Sequence, residues 1–353
     1  MRNEEQKTAG TDRKCLSFFE TEVESLKAEI LRLLRESGSY VSGQRLCEEL
    51  GVSRTAVWKV INQLKEEGYH VEAVQNRGYR ILDIPDVMSK EELESLLAGK
   101  TKWAGQEVYY FPETDSTNIR AKQLAESGAA HGTLVAADRQ TAGRGRRGRG
   151  WESPSGCSIY MSILLRPKFL PAKAPMMTLV MAYSVAESLR AYTGLDIQIK
   201  WPNDVVLNGK KLVGILTEMS TEIDYINHVV IGVGINVNMD SFSEEIAKTA
   251  TSLRMEMGKT LKRSTLIAEI MRRFEQDYEE YVKTGDLSGI REAYERLMVN
   301  YGKEVRILGA QEPFQALALG INNNGELLVR KEDGSEEAVY AGEVSVRGVY
   351  GYV

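Results

Sequence analysis

Arg139-Gln140-Thr141-Ala142-Gly143-Arg144-Gly145-Arg146-Arg147-Gly148-Arg149-Gly150-Trp151 holds five arginines, four glycines and no acidic residue. A glycine inside a helix or strand costs about 0.5–1 kcal/mol relative to alanine, so four of them argue against both. Glycines permit a tight loop whose N–H groups point inward, and arginine forks match phosphate or carboxylate. Two readings follow: a mobile anion-binding loop, or a basic tract that tracks nucleic acid. The flanks favour the loop. Leu134-Val135-Ala136-Ala137 before it and Ser158-Ile159-Tyr160-Met161-Ser162-Ile163-Leu164-Leu165 after it read as strands, which sets the tract inside a folded sheet.

The chain of 353 residues has room for two or three domains, and its 42% hydrophobic and 27% charged residues are ordinary for a globular protein. A net charge of -5 excludes an overall basic footprint, so any DNA contact must come from a local patch. Cys15, Cys47 and Cys157 are far apart, with no CxxC spacing. That fits a reducing compartment and argues against structural zinc. His70, His131 and His228 are scattered, which disfavours a metal cluster or a histidine-dependent triad. No apolar run approaches the roughly 18–20 residues of a membrane span, and Met1–Glu24 is polar and mixed in charge. The expectation is a cytoplasmic protein with no membrane contact.

Residues 1–21 read as a disordered leader. Residues 22–84 read as a winged helix-turn-helix. Leu26, Ile30, Leu33 and Leu34 recur at helical spacing, and Gly38 closes that helix. A short helix over Ser42–Leu50 and the turn Gly51-Val52-Ser53 lead to a helix from Arg54 to Lys65 with Ser53 as its cap. Val57, Ile61 and Leu64 are its buried stripe. Ser53, Arg54, Thr55, Trp58 and Lys59 face outward near its start, where base-reading side chains sit in such motifs. Tyr69–Val74 and Gly78–Leu82 make a hairpin with Arg77 at its tip, the wing. A plain three-helix packing module is the alternative.

Ile84–Val87 reads as a linker, followed by a capped helix start at Ser89. A mixed α/β domain spans 85–300. It has a strand at Val108–Phe111, the turn Asp115-Ser116-Thr117-Asn118 capping a helix to Glu126, and a long apolar helix over Met176–Tyr192. Asp196–Lys200 is a strand ending in Lys200-Trp201-Pro202-Asn203-Asp204. Asn208-Gly209 between Val205–Leu207 and Lys210–Glu218 marks a hairpin. Val229–Val237 is a further strand, and helices follow near 264–283 and 289–300. From 301 to 353, strands at Val305–Leu308, Phe314–Ile321, Gly325–Val329 and Glu337–Val346 suggest a small SH3-like β-barrel. The fold class is α+β.

Four motifs now stand in one order: Asp115-Ser116-Thr117-Asn118; Gln140 with the Gly143–Trp151 loop; Lys200-Trp201-Pro202-Asn203-Asp204; and Gly232-Val233-Gly234-Ile235-Asn236. This set resembles the biotin–protein ligase family. With the helix-turn-helix it resembles that family's bifunctional ligase–repressors, and the likeness runs from about residue 22 to the end. The arginine loop and the Lys-Trp-Pro-Asn-Asp run are its specific parts. Gly232-x-Gly234 alone is weak, since it lacks the third glycine of a dinucleotide fingerprint and no helix follows.

The resemblance implies a reaction. A biotin carboxylate joins the α-phosphate of ATP, pyrophosphate leaves, and the biotinoyl-5'-AMP is attacked by a lysine of a biotin carboxyl carrier protein. Two anions must meet, so cations must neutralise both. The resemblance makes Lys200 and Arg146 the catalytic cations. It places biotin against Ser116, Thr117, Asn118 and Gln140, against Arg144, Gly145 and Arg146 of the loop, and against Lys200, Trp201 and Gly214. It places the nucleotide against Arg146, Arg149, Trp151, Asn203 and Asn236. ATP implies Mg2+, with Asp204 either a ligand of it or a turn-capping aspartate. Ser116 and Thr117 would otherwise be helix caps, and Trp201 a core residue. As a repressor, the adenylate-bound protein would be a homodimer on operator DNA. The alternatives are a lipoate or octanoate acyltransferase and a ligand-sensing transcription factor without catalysis.

Overall fold

The computed structural model describes residues 25–308, 312–340, 345–348 and 352–353. The leader expected over 1–21 lies outside the described residues. The chain divides into two compact units between Ala98 and Gly99.

In the first unit a helix over 25–37 (α1) precedes α2 (Gly43–Leu50) and α3 (Arg54–Glu66). Ser42 and Ser53 cap α2 and α3, their hydroxyl oxygens accepting from the N–H groups of Arg45 and Ala56. Gly51, at φ 67°, ends α2 in the left-handed region and makes the turn between them. Ile30, Leu31 and Leu34 of α1, Leu46 of α2, and Val57, Val60, Ile61 and Leu64 of α3 close one core. Truncating one of these to alanine costs about 2–5 kcal/mol. The wing is β1 (His70–Val74) paired antiparallel with β2 (Gly78–Asp83). Val41 pins it by exchanging two backbone hydrogen bonds with Tyr79, each 2.9 Å. The Val41 carbonyl fills the space a side chain at Gly78 would need, and Gly78 has φ 107°.

Helix α4 (Lys90–Leu97) belongs to this compact unit, which runs past the expected 84/85 linker to Ala98. Glu92 ties it there. It is buried, pairs with Arg35 and accepts from the Tyr69 hydroxyl at 2.6 Å. A buried carboxylate is tolerated only when partnered in this way, and the partners lie on the winged-helix module.

The second unit is built on a seven-stranded sheet, ordered β3 (Val108–Thr114), β4 (Leu134–Gln140), β5 (Ser158–Leu165), β9 (Ile226–Asn236), β8 (Lys210–Thr221), β7 (Asp204–Leu207) and β6 (Gln198–Lys200). β3 and β4 run parallel and every other pair antiparallel. α5 (Thr117–Glu126) packs Ala121 and Ala125 onto Val135, Leu164 and Val230. α6 (Met176–Thr193) is apolar around most of its circumference and correspondingly buried, lying against α8 (Arg263–Thr284). Short helices α7 (Leu253–Met257) and α9 (Arg291–Leu297) follow the sheet and α8 respectively.

The last module is a five-stranded antiparallel sheet: β10 (Glu304–Leu308), β11 (Phe314–Ile321), β12 (Leu327–Arg330), β13 (Glu336–Val339) and β14 (Ser345–Gly348). It is compatible with the expected small barrel. The single strand expected over Glu337–Val346 is two. β13 pairs with β12 and β14 with β10, at opposite edges of the sheet, so one straight strand could not serve both. Among the described residues no helix is long and apolar enough to cross a membrane.

Candidate functional site

The floor of the site follows from strand register. Paired residues share a face and side chains alternate along a strand. Gly232 and Gly234 of β9 stand opposite Ser162 and Tyr160 of β5, while Leu216 and Gly214 of β8 stand opposite the same two glycines. One face therefore presents three glycines between polar edges. What packs on them explains their size. The Trp151 indole lies over Gly214 and Gly234, 2.8 and 2.7 Å from where a Cβ would stand, and Asn118 lies against Gly232.

The arginine–glycine stretch is a loop closed on itself. Gln140 N–H donates to the Ser153 carbonyl at 3.2 Å, Trp151 N–H to Gly143 at 3.0 Å, and Gly145 N–H to Arg149 at 2.7 Å. A single 3-10 turn over Arg146–Gly148 forms the tip, with Arg147 at φ 56°. Arg146 turns inward, its Nη1 donating to Asn203 Oδ1 at 2.8 Å. Burial pulls its pKa below the usual guanidinium value. Arg144 and Gly145 line the recess over the glycine floor. Arg149 lines the adjoining recess with Lys200, Asp204 and Lys211. The two recesses share Arg146, Trp151, Asn203 and Lys211, so they form one cleft.

Cations collect at its middle. Lys200 ends β6 and is 4% exposed. Lys211 Nζ lies 2.7 Å from Asp204 Oδ1 and 5.2 Å from the Trp151 ring. Burial alone would raise the Asp204 pKa. The Lys211 ammonium, the Tyr352 hydroxyl bonded to its other oxygen, and Lys200 together hold it below the usual carboxylate value. Asp204 is thus the counter-ion of two lysines. Both its oxygens are engaged, and among the described residues no group of three His, Cys, Asp or Glu could hold a metal. The residues present do not form a protein-caged magnesium site. Magnesium commonly rides on nucleotide phosphates and water with few protein ligands.

The other end of the cleft is polar and neutral. Ser116 is buried but makes no capping bond to α5, which removes the simple helix-cap reading of its hydroxyl. Gln140 Oε1 accepts from the Thr117 N–H at 2.9 Å and lies 3.2 Å from its hydroxyl, while Gln140 Nε2 donates to Ser153 Oγ at 2.9 Å. Ser116, Thr117, Asn118 and Gln140 all line the recess over the glycines.

Trp201 and Asn236 line recesses next to the glycine floor and also carry structural bonds. Trp201 is 1% exposed and its Nε1–H donates 3.0 Å to the Gly325 carbonyl of the terminal module. The indole above the glycine floor itself is Trp151. Asn236 donates its amide to the Thr251 carbonyl at 3.1 Å and lines a neighbouring recess beside the loop. Conversely, the sequence reading passed over Lys211, Tyr352, Ser162 and Glu218. Lys211 sat in view inside the Asn208-Gly209 hairpin, but only the bulge between Val205 and Val206 tells which of Lys210 and Lys211 faces the cleft.

On the winged helix, Arg54, Thr55, Trp58 and Lys59 are exposed together at the start of α3, with Trp58 58% exposed. An exposed tryptophan beside a buried stripe calls for an explanation beyond packing. Ser53 spends its hydroxyl on the cap. Arg77 is exposed at the wing tip, its guanidinium 5.8 Å from the Tyr40 ring centre.

A mixed sheet with a cation-lined cleft under an arginine–glycine loop, joined to a helix-turn-helix, defines a ligase of the biotin/lipoate A/B class with a DNA-reading module. The chain matches the biotin/lipoate A/B protein ligase family over residues 110–236, a helix-turn-helix family over 27–80, and the biotin protein ligase C-terminal domain over 301–347. It is 39% identical to the bifunctional ligase/repressor BirA of Bacillus subtilis, over 91% of this chain and 99% of that one. It is 32% identical to the BirA of Escherichia coli, over 89% and 95%. Its fold is similar to that of a biotin protein ligase from Aquifex aeolicus in complex with biotin and ATP, with TM-score 0.62 and 33% identity over 69% of this chain and 99% of that one. The chain belongs to the biotin protein ligase family, in its bifunctional ligase/repressor form.

Proposed function

We propose that the protein activates biotin with ATP to biotinoyl-5'-AMP, transfers it to a lysine of a biotin carboxyl carrier protein, and represses transcription at operator DNA as an adenylate-bound homodimer. The observation that carries this is the cleft itself. Its neutral end, with Ser116, Thr117, Asn118 and Gln140, suits a buried urea, each unpaired group of which would cost about 1–3 kcal/mol. Its middle, with Lys200, Lys211 and Arg146, suits a carboxylate meeting a phosphate.

In this reading Lys200 and Lys211 flank the forming carboxylate–phosphate bond, with Asp204 holding both ammonium groups in place. Arg144, Arg146 and Arg149 grip phosphate oxygens, and the loop shields the anhydride from water. Trp151 stands between the urea end and the nucleotide. Magnesium, when bound to the triphosphate, supplies charge neutralisation there. Arg54, Thr55, Trp58 and Lys59 enter the major groove, and Arg77 contacts flanking phosphates.

Biotin-dependent exchange of pyrophosphate into ATP tests the enzymatic reading, run in parallel with lipoate. Exchange with biotin alone supports it. Exchange with lipoate alone assigns the acyltransferase alternative, and none with either leaves a ligand sensor.

A further inference from the structure

The urea end of the cleft is wired to a carboxylate that stands behind it. Gly214, Leu216 and Glu218 alternate on the cleft face of β8. Asn118 Nδ2 donates to Glu218 Oε2 at 2.7 Å and to the Leu216 carbonyl at 3.3 Å. Lys122 Nζ pairs with the other Glu218 oxygen at 2.7 Å. Burial would raise the pKa of Glu218, but the bonds from Lys122 and Asn118 and the charge of Arg144 hold it low, so it is a carboxylate at neutral pH.

A carboxylate and a carbonyl can only accept. The amide of Asn118 therefore has one possible orientation, with Nδ2 toward Glu218 and Oδ1 toward Ser162, whose hydroxyl lies 2.6 Å away. Ser162 has one proton, which Asn118 Oδ1 takes. Its oxygen must then accept from Thr117, 2.8 Å distant. Gln140 Oε1 accepts from the Thr117 backbone N–H, which turns its Nε2 toward Ser153, and Ser153 donates to the Trp151 carbonyl at 3.0 Å. From Thr117 to Glu218 the side-chain donors point one way because that end is an anion, whereas the Gln140–Ser153 part is oriented by the Thr117 backbone N–H and the Trp151 carbonyl.

We infer that Glu218 is a positioning residue that fixes the donor and acceptor polarity of Asn118, Ser162 and the Thr117 hydroxyl at the cleft's neutral end, and so selects a ring urea over a ring of like shape with different polarity. The inference rests on the biotin reading above. It assigns Glu218 no contact with the ligand. A glutamine at 218 has both a donor and an acceptor, so the Asn118 amide keeps only the longer bond to the Leu216 carbonyl to orient it, and the line loses most of its direction without losing its shape.

The test is equilibrium binding of biotin and of 2-thiobiotin, a neutral ring whose carbonyl oxygen is replaced by the weakly accepting sulfur, to wild type, Glu218→Gln, Ser162→Ala and Lys122→Met, with ATP binding measured alongside. Glu218→Gln should lose biotin affinity by about tenfold, the weight of one hydrogen bond to a charged group. Its preference for biotin over the thione should shrink by a similar factor, and ATP affinity should stay within twofold. Ser162→Ala breaks the same line at its second bond and should shrink the preference too, which keeps the test open if Glu218→Gln folds poorly. Lys122→Met removes the ion pair but leaves Asn118 its acceptor, so its preference should match wild type. A folded Glu218→Gln or Ser162→Ala with unchanged preference overturns the inference. So does a Lys122→Met variant that loses the preference as fully as Glu218→Gln, because charge and packing would then suffice. A wild type that binds ATP but no biotin overturns the ligand reading itself, and this inference with it.

Discussion

The Lys200 ammonium lies 3.4 Å from the centre of the Tyr352 ring, while the hydroxyl of the same ring bonds to Asp204. The ring face attracts the cation, and the Asp204 carboxylate adds a Coulombic attraction. In the proposed reaction Lys200 neutralises both anions as they meet, a contribution worth several kcal/mol of barrier. Lys200→Ala should lower biotin-dependent pyrophosphate exchange at least about a hundredfold while the protein stays folded. Activity within tenfold of wild type, in a variant with an unchanged unfolding transition, would falsify the role.

Arg146 divides its contacts differently. Its guanidinium is half-buried, bound to Asn203, and lines both recesses of the cleft. In the proposed reading Arg146→Gly removes a phosphate-gripping fork and leaves Ser116, Thr117, Asn118 and Gln140 in place. Release of biotinoyl-AMP should accelerate by one to two orders of magnitude, about 1.4–2.8 kcal/mol, while biotin affinity changes less. The measurement is the dissociation rate of the adenylate, and equal losses for both ligands would refute the assignment.

The loop is also anchored away from the ligand. Arg263 is 3% exposed and its Nη1 donates to Asp138 Oδ1 at 2.7 Å, and Asp138 also holds Ser155 and the Gly156 N–H. Burial would raise the Asp138 pKa, but these donors hold it below its ordinary 3.8. A depressed folded pKa adds stability that is present above the ordinary value and lost as pH falls through the folded one. Asp138→Asn should cost about 3 kcal/mol at pH 7, because it removes a carboxylate paired with the buried Arg263 guanidinium. It should also flatten the loss of stability below pH 4. Urea unfolding at pH 7 and pH 3 checks both. A variant as stable as wild type at pH 7, or one losing as much between the two pH values, would count against the anchor.

What could be read from the sequence was local. The winged helix came through because helical spacing, one serine cap and one glycine turn all agree, and Val57, Ile61 and Leu64 are buried as the spacing requires. The loop came through because its composition leaves no other structure. The family's motifs marked the cleft residue by residue. What stayed hidden depended on long-range pairing. No periodicity tells that Gly214, Gly232 and Gly234 share a face with Ser162, since that follows from β5–β9–β8 register. Trp151 and Trp201 look alike in sequence, and only the fold shows which covers the glycines. Tyr352 lies 148 residues from Asp204, so nothing local links them. The tie that Glu92 makes between α4 and the winged helix was hidden because a charged residue in a helix start reads as exposed.

Trp201 offers a direct check on the difference between the two indoles. Its indole is bonded to Gly325, so Trp201→Phe should lower stability by about 1–3 kcal/mol through an unsatisfied carbonyl. Biotin affinity should fall far less than for Trp151→Ala, which uncovers the glycine floor. Paired urea unfolding and biotin titration decide it. A Trp201→Phe protein of full stability and lost biotin affinity would restore the packing role first read from the sequence.

The last prediction separates the two units. Arg54 and Thr55 occupy the first turn of α3, and Lys59 lies one turn on, all exposed. Side chains there reach base edges when such a helix enters the major groove. Arg54→Ala should therefore cost about 1–3 kcal/mol of specific affinity and relax sequence preference. Arg77 stands at the wing tip, where the neighbouring duplex offers phosphates. Arg77→Ala should weaken binding to all sequences alike and reduce the salt slope by about one. Neither should alter biotin transfer, because the winged helix closes its own core with its own residues, Ile30 to Tyr69 among them. The decisive comparison is a gel shift and a biotin-transfer assay on the same Arg54→Ala preparation. Transfer that falls in step with DNA binding would show that α3 serves the cleft as well, and the division of labour between the two units would have to be abandoned.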